Sequence, residues 1–279
     1  MRPTGKFVTT CHDGTLRRPR GNPARAASPR RVVFSNLLCF SVGDRGGTLN
    51  EPGSHASVVG ATNGEQPRSV VKIGGSLLDL PDLTVRLRAL IEELDGPVAL
   101  LVGGGPAADL VRHWAAVFDI DESAAHWLAV DSLNLTARLV CGLLNRNVAN
   151  DGQTLAMATI VDDWPAACVA VQSGHIPVLN PRGLLSSADR KPKIDLPESW
   201  AATSDSIAAA IAIRWSVPRL VLCKSVDVPP DGLLGGRASP PKDSAPVDDW
   251  FGQLAPRLSE IQWCNLRSPS ARCAPWSPL

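Results

Sequence analysis

The sequence predicts an α/β fold: a three-layer α/β/α sandwich around a mostly parallel central sheet. Two observations predict it. Short apolar, β-branched runs bounded by glycine alternate with segments whose apolar residues recur at helical spacing. Two of those runs also end in glycine clusters, Val70-Val71-Lys72-Ile73-Gly74-Gly75-Ser76 and Leu100-Leu101-Val102-Gly103-Gly104-Gly105-Pro106. Turns of that kind lead from a buried strand into a helix.

The elements follow in order. Ser69 to Ile73 reads as a fully buried strand. Asp82 to Leu94 carries Leu83, Leu87, Leu90, Ile91 and Leu94 at helical spacing, with Asp82 as its cap and Gly96-Pro97 as its stop. Val98 to Val102 is a second strand and Ala107 to Phe118 a second helix. Ser123 is expected to cap a long helix to about Asn145, with Trp127, Val130, Leu133, Leu135 and Leu139 among its apolar positions. Leu155 to Val161, Ile176 to Leu179, Leu220 to Cys223 and Ile261 to Cys264 read as strands. Ser204 to Trp215 and Trp250 to Leu258 read as helices.

Composition divides the 279 residues into three parts. Residues 1–67 are basic and rich in Pro, Gly and Ser, and are expected to be disordered. Six arginines between Arg17 and Arg31 precede the apolar stretch Val32 to Phe40, which resembles a signal peptide only superficially. The basic part is long and Pro-rich, no small-x-small cleavage site follows cleanly, and the stretch is too short to span a bilayer. Residues 68–267 form the expected folded domain, and 268–279 a C-terminal tail. A net charge of +1 gives no case for nucleic-acid binding. The seven cysteines include no CxxC pair and no zinc-ligand spacing, so free thiols in a reducing, cytoplasmic setting are expected.

Three segments carry chemistry. Lys72 ends a strand, where a side chain reaches the carboxyl edge of a parallel sheet, and Gly74, Gly75 and Ser76 follow it with backbone open to an anion. Gly103, Gly104 and Gly105 form the second turn, and three successive glycines are read as a place of close approach by substrate or phosphate. Thr203-Ser204-Asp205-Ser206 opens the Ala-rich helix. Asp205 there is either a helix cap or a carboxylate that orients Lys72 or attracts Mg2+. Neither GxGxxG nor GxxxxGK[ST] occurs, which removes the main support for NAD-binding and P-loop readings.

Taken in this order, the segments resemble the amino acid kinase family, which includes acetylglutamate kinase, aspartokinase, glutamate 5-kinase, carbamate kinase and bacterial uridylate kinase. The resemblance covers roughly Arg68 to Arg267. It implies an ATP-dependent phosphotransferase of amino acid kinase (carbamate kinase-like) fold, using Mg2+. Lys72 would contact the transferring phosphoryl group, Gly103 to Gly105 would lie against the acceptor or that group, and Asp205 would organise the catalytic lysines. The family's nucleotide segment aligns with Leu222-Cys223-Lys224-Ser225-Val226-Asp227, and Ser204, Lys224, Ser225 and Asp227 are its candidate nucleotide-binding residues. Val228-Pro229-Pro230 departs from the usual glycine there. The second catalytic lysine is either Lys242 or Lys224.

Leu196-Pro197-Glu198-Ser199-Trp200 followed by Thr203 to Ala209 is similar to a narrower subgroup, short kinases of methanofuran-type cofactor biosynthesis that phosphorylate a furan-methyl phosphate. That likeness implies a small-molecule acceptor already carrying a phosphate, with Arg112, Arg138 and Arg146 as candidate cations for it. The family likeness implies a homo-oligomer, with no nucleic-acid or membrane partner. An acyl-phosphate-forming amino acid kinase and a non-catalytic nucleotide sensor of the same fold are the alternatives.

Overall fold

In a computed structural model, residues 65–146, 156–186, 196–228 and 247–277 are described. All lie in the compact unit that begins at Val58. Their strands are β1 (Ser69–Ile73), β2 (Val98–Val102), β3 (Ala158–Val161), β4 (Ile176–Leu179), β5 (Arg219–Lys224), β6 (Glu260–Asn265) and β7 (Cys273–Pro275). The helices are α1 (Leu83–Glu93), α2 (Pro106–Phe118), α3 (Glu122–Arg146), α4 (Trp164–Gln172), α5 (Pro181–Ser186), α6 (Ser204–Arg214) and α7 (Phe251–Leu254).

The sheet order is β3-β4-β2-β1-β5-β6-β7, parallel except for β7. Every residue of β1, β2 and β4 is buried, which is why these strands are continuous apolar runs rather than alternating ones. Alternate residues feed two cores. Val70, Ala99, Leu101, Leu220 and Leu222 pack with α4, α6, α7 and the first half of α3. Val71, Ile73, Leu100, Val102 and Val221 pack with α1 and the second half of α3. A core on each face of one parallel sheet is the three-layer sandwich.

Several local expectations change. The Asp82 side chain accepts no cap hydrogen bond; it takes Arg86 Nε at 2.7 Å instead. Asp121, not Ser123, caps α3, accepting from the Ala124 N–H at 3.0 Å, while the Ser123 hydroxyl donates to Glu198. Leu135 and Leu139 are exposed, because α3 buries a narrow stripe that excludes them. The apolar segment Trp164 to Gln172 is helical, capped by Asp163 on the Ala166 N–H at 2.8 Å, with Pro165 in the first turn where its missing N–H costs nothing. α5 was not expected either. The late helix is short: after Leu254 the chain tightens into a 3-10 turn over Ala255–Arg257, around Pro256.

The tail is corrected as well. Residues Cys273–Pro275 add β7 antiparallel to β6, and Trp276 is buried between Trp263 and Phe251, with ring centroids at 5.0 and 6.0 Å. A large aromatic anchor makes this end of the chain part of the core.

Candidate active site

β1 and β5 are neighbours, and their onward connections run in opposite directions, β1 to β2 on one side and β5 to β6 on the other. Crevices at such a switch point, outside the carboxyl ends of the strands, are where open α/β sheets bind ligands. The turns after β1, β2 and β5 all emerge there. The Gly74 N–H donates to the Cys223 carbonyl and the Gly103 N–H to the Ile73 carbonyl, both at 2.8 Å. Those two amides extend the sheet by one step and are not free for an anion. The Gly75, Gly104 and Gly105 amides have no backbone acceptor among the described residues.

The glycines have a structural reason that the sequence did not disclose. A Cβ on Gly75 would sit 2.3 Å from the Gly105 nitrogen, and one on Gly105 (φ +52) would sit 2.7 Å from the Gly75 carbonyl oxygen. On Gly104 it would meet Ala108 Cβ and Ser132 Oγ, each at 2.6 Å. The two turns press backbone against backbone, and only glycine permits it. Ligand approach is therefore not needed to explain three in a row. Ser76 Oγ and Ser225 Oγ, 3.0 Å apart, join the turns after β1 and β5.

Asp205 is the centre of charge. It is 5% exposed, on the first turn of α6, and makes no cap hydrogen bond. Its Oδ1 lies 2.9 Å from Lys72 Nζ, and its Oδ2 accepts from Lys224 Nζ at 2.8 Å. Burial pushes this carboxyl up, but Lys224 and Lys72 outweigh it and hold it down to about 2. Burial lowers Lys224 to about 8, against the raising effect of Asp205 and with the help of Lys72. The Lys224 ammonium also lies 5.6 Å from the centre of the Trp263 ring, a cation–π contact. Two cations on one carboxylate leave a net positive charge at the strand ends, suited to an anion that gains charge as it reacts.

Of the two candidate second lysines, Lys224 is the one in this centre. Lys242 lies outside the described residues, as do Pro229 and Pro230. Asp227 is exposed and accepts from Asn265 Nδ2 at 2.8 Å, away from the lysines. Both Asp205 oxygens are taken, and no group of three His, Cys, Asp or Glu side chains suited to a metal occurs among the described residues. The described residues therefore offer no carboxylate cage for Mg2+.

Beside the centre is a cavity of about 260 Å³. Gly75, Ser76, Gly104, Gly105 and Ser204 line it, together with Arg112, His126, Ser199 and Trp200. Trp200 is half-buried, with the Arg112 guanidinium 4.5 Å from its ring centre, so it is a wall of this cavity rather than a core residue. Arg112 is also paired with Asp109 at 2.8 Å. Arg138 and Arg146 are exposed on α3 and do not line the cavity. His126 was not singled out from the sequence. Its Nδ1 lies 3.2 Å from the Ser199 carbonyl oxygen, and burial lowers its pKa, against that hydrogen bond and Glu198 and Glu122. Nδ1 donates to that carbonyl when it carries the ring proton. A lone histidine among apolar helix positions gave no signal in the sequence.

Comparison with known proteins shows the family. Residues 67–228 match the amino acid kinase family. The chain is 28% identical over 169 residues to the [5-(aminomethyl)furan-3-yl]methyl phosphate kinase of Methanocaldococcus jannaschii, which spans 60% of this chain and 70% of the relative. Among solved structures, UMP kinase from Ureaplasma parvum aligns at a TM-score of 0.47 and 16% identity, covering 74% of this chain and 92% of its own. An isopentenyl phosphate kinase aligns at 0.43 and 16%, covering 72% and 92%. The match spans more than half of the sequence, and this chain belongs to the amino acid kinase family as a phosphotransferase.

Proposed function

We propose that the chain is an ATP-dependent kinase that transfers a phosphoryl group to a small phosphomonoester, giving a diphosphate, in a pathway of methanofuran or related one-carbon cofactors. The observation that carries this reading is Asp205 holding Lys72 and Lys224 together at the ends of β1 and β5, beside a cavity of small-molecule size. The likeness to the furan-methyl phosphate kinase supports the choice of acceptor.

Magnesium-bound ATP would lie over the end of β5, near Ser204, Lys224 and Ser225, with its terminal phosphate at the glycine turns. The acceptor would fill the cavity. Lys72 and the Gly75, Gly104 and Gly105 amides neutralise charge on the transferring group, and Asp205 fixes both lysines. Catalysis is positioning and electrostatics, with no covalent enzyme intermediate. The intact charge centre favours this reading over a non-catalytic sensor, despite Val228 in place of the usual glycine.

We also place the protein in the cytoplasm as a homo-oligomer, without nucleic-acid or membrane partners. Leu110, Trp114, Val117 and Phe118 on α2 are exposed at helical spacing, as are Leu135 and Leu139 on the neighbouring α3, a surface that a second copy would cover. α3 is long and apolar enough to cross a membrane, yet it packs on α1, α2, α5 and β2 to β4, as the central helix of a globular domain does. Residues 1–67 are proposed to be a disordered extension.

The test is ADP release from ATP on a panel of phosphomonoesters, including an aminomethylfuran-methyl phosphate, and of carboxylates with hydroxylamine present. Turnover with phosphomonoesters alone is expected. A hydroxamate formed from glutamate or aspartate, with phosphomonoesters inert, would replace this reading with an acyl-phosphate kinase.

A further inference from the structure

Among the described residues, Asp248 is the most heavily hydrogen-bonded carboxylate outside the lysine centre, and it lies beyond the residues that match the family. Its Oδ2 accepts from the Thr203 N–H at 2.9 Å, the Thr203 hydroxyl at 2.8 Å and the Ser206 N–H at 3.0 Å. Its Oδ1 accepts from the Ser206 hydroxyl and, at 3.1 Å, from the Phe251 N–H. Thr203 is the first residue before α6, yet its own side chain caps nothing. The cap of α6 comes instead from a residue on the approach to α7.

That arrangement brackets Asp205. The amides of Thr203 and Ser206, on either side of it, are tied to one oxygen atom. The rotation and height of the first turn of α6 are thereby fixed, and with them the carboxylate that must meet Lys72 and Lys224 at once. A helix start needs only one side-chain acceptor. Two hydroxyls and two amides from the same turn are more than capping requires.

We propose that Asp248 is a positioning residue for phosphoryl transfer, holding the start of α6 so that Asp205 bridges Lys72 and Lys224. The proposal rests on the kinase reading above. Its electrostatic cost is visible. Burial, then the nearby charge of Asp205, pushes the Asp248 carboxyl up, while Ser206 and Thr203 act to lower it. Asp248 also adds to the raising effect of Asp205 on Lys224, which burial and Lys72 lower to about 8. Removing the Asp248 charge should therefore release the Lys224 proton more easily.

The experiment compares Asp248→Asn and Lys72→Met with the wild type on the best acceptor of the panel. For Asp248→Asn, kcat should fall about 10- to 100-fold, as misplacement of a catalytic constellation does. The acceptor KM should stay within about 2-fold, because Asp248 does not line the cavity. The alkaline limb of the kcat profile should move to lower pH. A purely structural cap would lower the melting temperature and leave both kcat and that limb in place, and this result overturns the proposal. Should Asp248→Asn fail to fold, Ser206→Ala removes one donor only: a smaller kcat loss with the same shift of the limb supports the role, and unchanged kcat and limb overturn it. Wild-type turnover in Lys72→Met would instead overturn the kinase reading itself.

Discussion

Lys72, Asp205 and Lys224 and the cavity beside them differ in almost every physical respect. The three charged side chains are 5%, 7% and 13% exposed, come from two strand ends and a helix start, and form ion pairs with one another. Arg112 and its partner Asp109 are 54% and 71% exposed, on a helix surface, and Trp200 arrives on a loop. A buried ion pair loses several kcal/mol on removal of one partner, because the other charge is left stranded. An exposed pair is worth about 0–1 kcal/mol. On the proposed function, the comparison teaches that transfer chemistry is built rigidly into the sheet edge, whereas acceptor recognition rests on surface groups that can vary without disturbing the fold. Substitutions at the two places should therefore fail in different ways: in kcat at the centre, in KM at the cavity.

Lys72→Met should give the largest effect. One lost cation in a preorganised site costs roughly 10²- to 10³-fold in kcat. Turnover at the wild-type rate would remove Lys72 from the chemistry. Asp205→Asn should follow closely. Asn caps helices about as well as Asp, and Asp205 caps nothing, so helix stability gives no reason for loss. The negative charge that gathers the lysines is what disappears, and equal activity in the two proteins would separate Asp205 from catalysis.

Lys224 sharpens the comparison through pH. With its pKa lowered to about 8, chiefly by burial, it loses its charge on the alkaline side, and kcat should fall as pH rises through about 8. Lys224→Arg, which cannot be deprotonated, should abolish that limb even where it lowers the plateau. Stability responds at the other end of the scale. The Asp205 carboxyl is held down to about 2, against 3.8 for the free group, so its contribution is complete above 3.8 and is lost as pH falls towards 2. Thermal melts between neutral pH and pH 2 should show that loss in the wild type and not in Asp205→Asn.

Trp200→Ala belongs to the other region and should mainly raise the acceptor KM. Loss of a partly exposed stacking wall and its cation–π contact with Arg112 is worth about 0.5–1 kcal/mol, a few-fold change in KM. A kcat loss rivalling that of Lys72→Met would erase the distinction between the two regions. Deleting residues 1–66 should have the smallest effect, with melting temperature and kcat nearly unchanged.

How far the sequence spoke also divides along this line. The placement of Lys72 and the glycine turns at one sheet edge was legible because strand, lysine and turn are contiguous in the chain, and each constrains its neighbours. Asp205 was legible as a residue but not as a role, since a carboxylate at a helix start looks the same whether it caps or reaches for a lysine. Only the position of α6 against β1 and β5 decides between them. The function of Asp248 was invisible. In Val247-Asp248-Asp249-Trp250 it resembles any solvated helix approach, and its partners at the start of α6 lie more than forty residues away in the chain, at separations of 45 and 42 for Thr203 and Ser206. His126 and Trp200 likewise meet only after α3 and the loop before α6 are packed. β7 went unread because a three-residue strand carries too little pattern to register, and its anchor, Trp276, sits just outside it.

Phosphorus NMR of the reaction of the wild-type protein with magnesium, ATP and an aminomethylfuran-methyl phosphate, run beside Lys72→Met, tests the central claim most directly. The account predicts new diphosphate signals from the acceptor growing in step with ADP, and neither in the variant. Inorganic phosphate as the sole new product, or diphosphate formed equally well without Lys72, would contradict it.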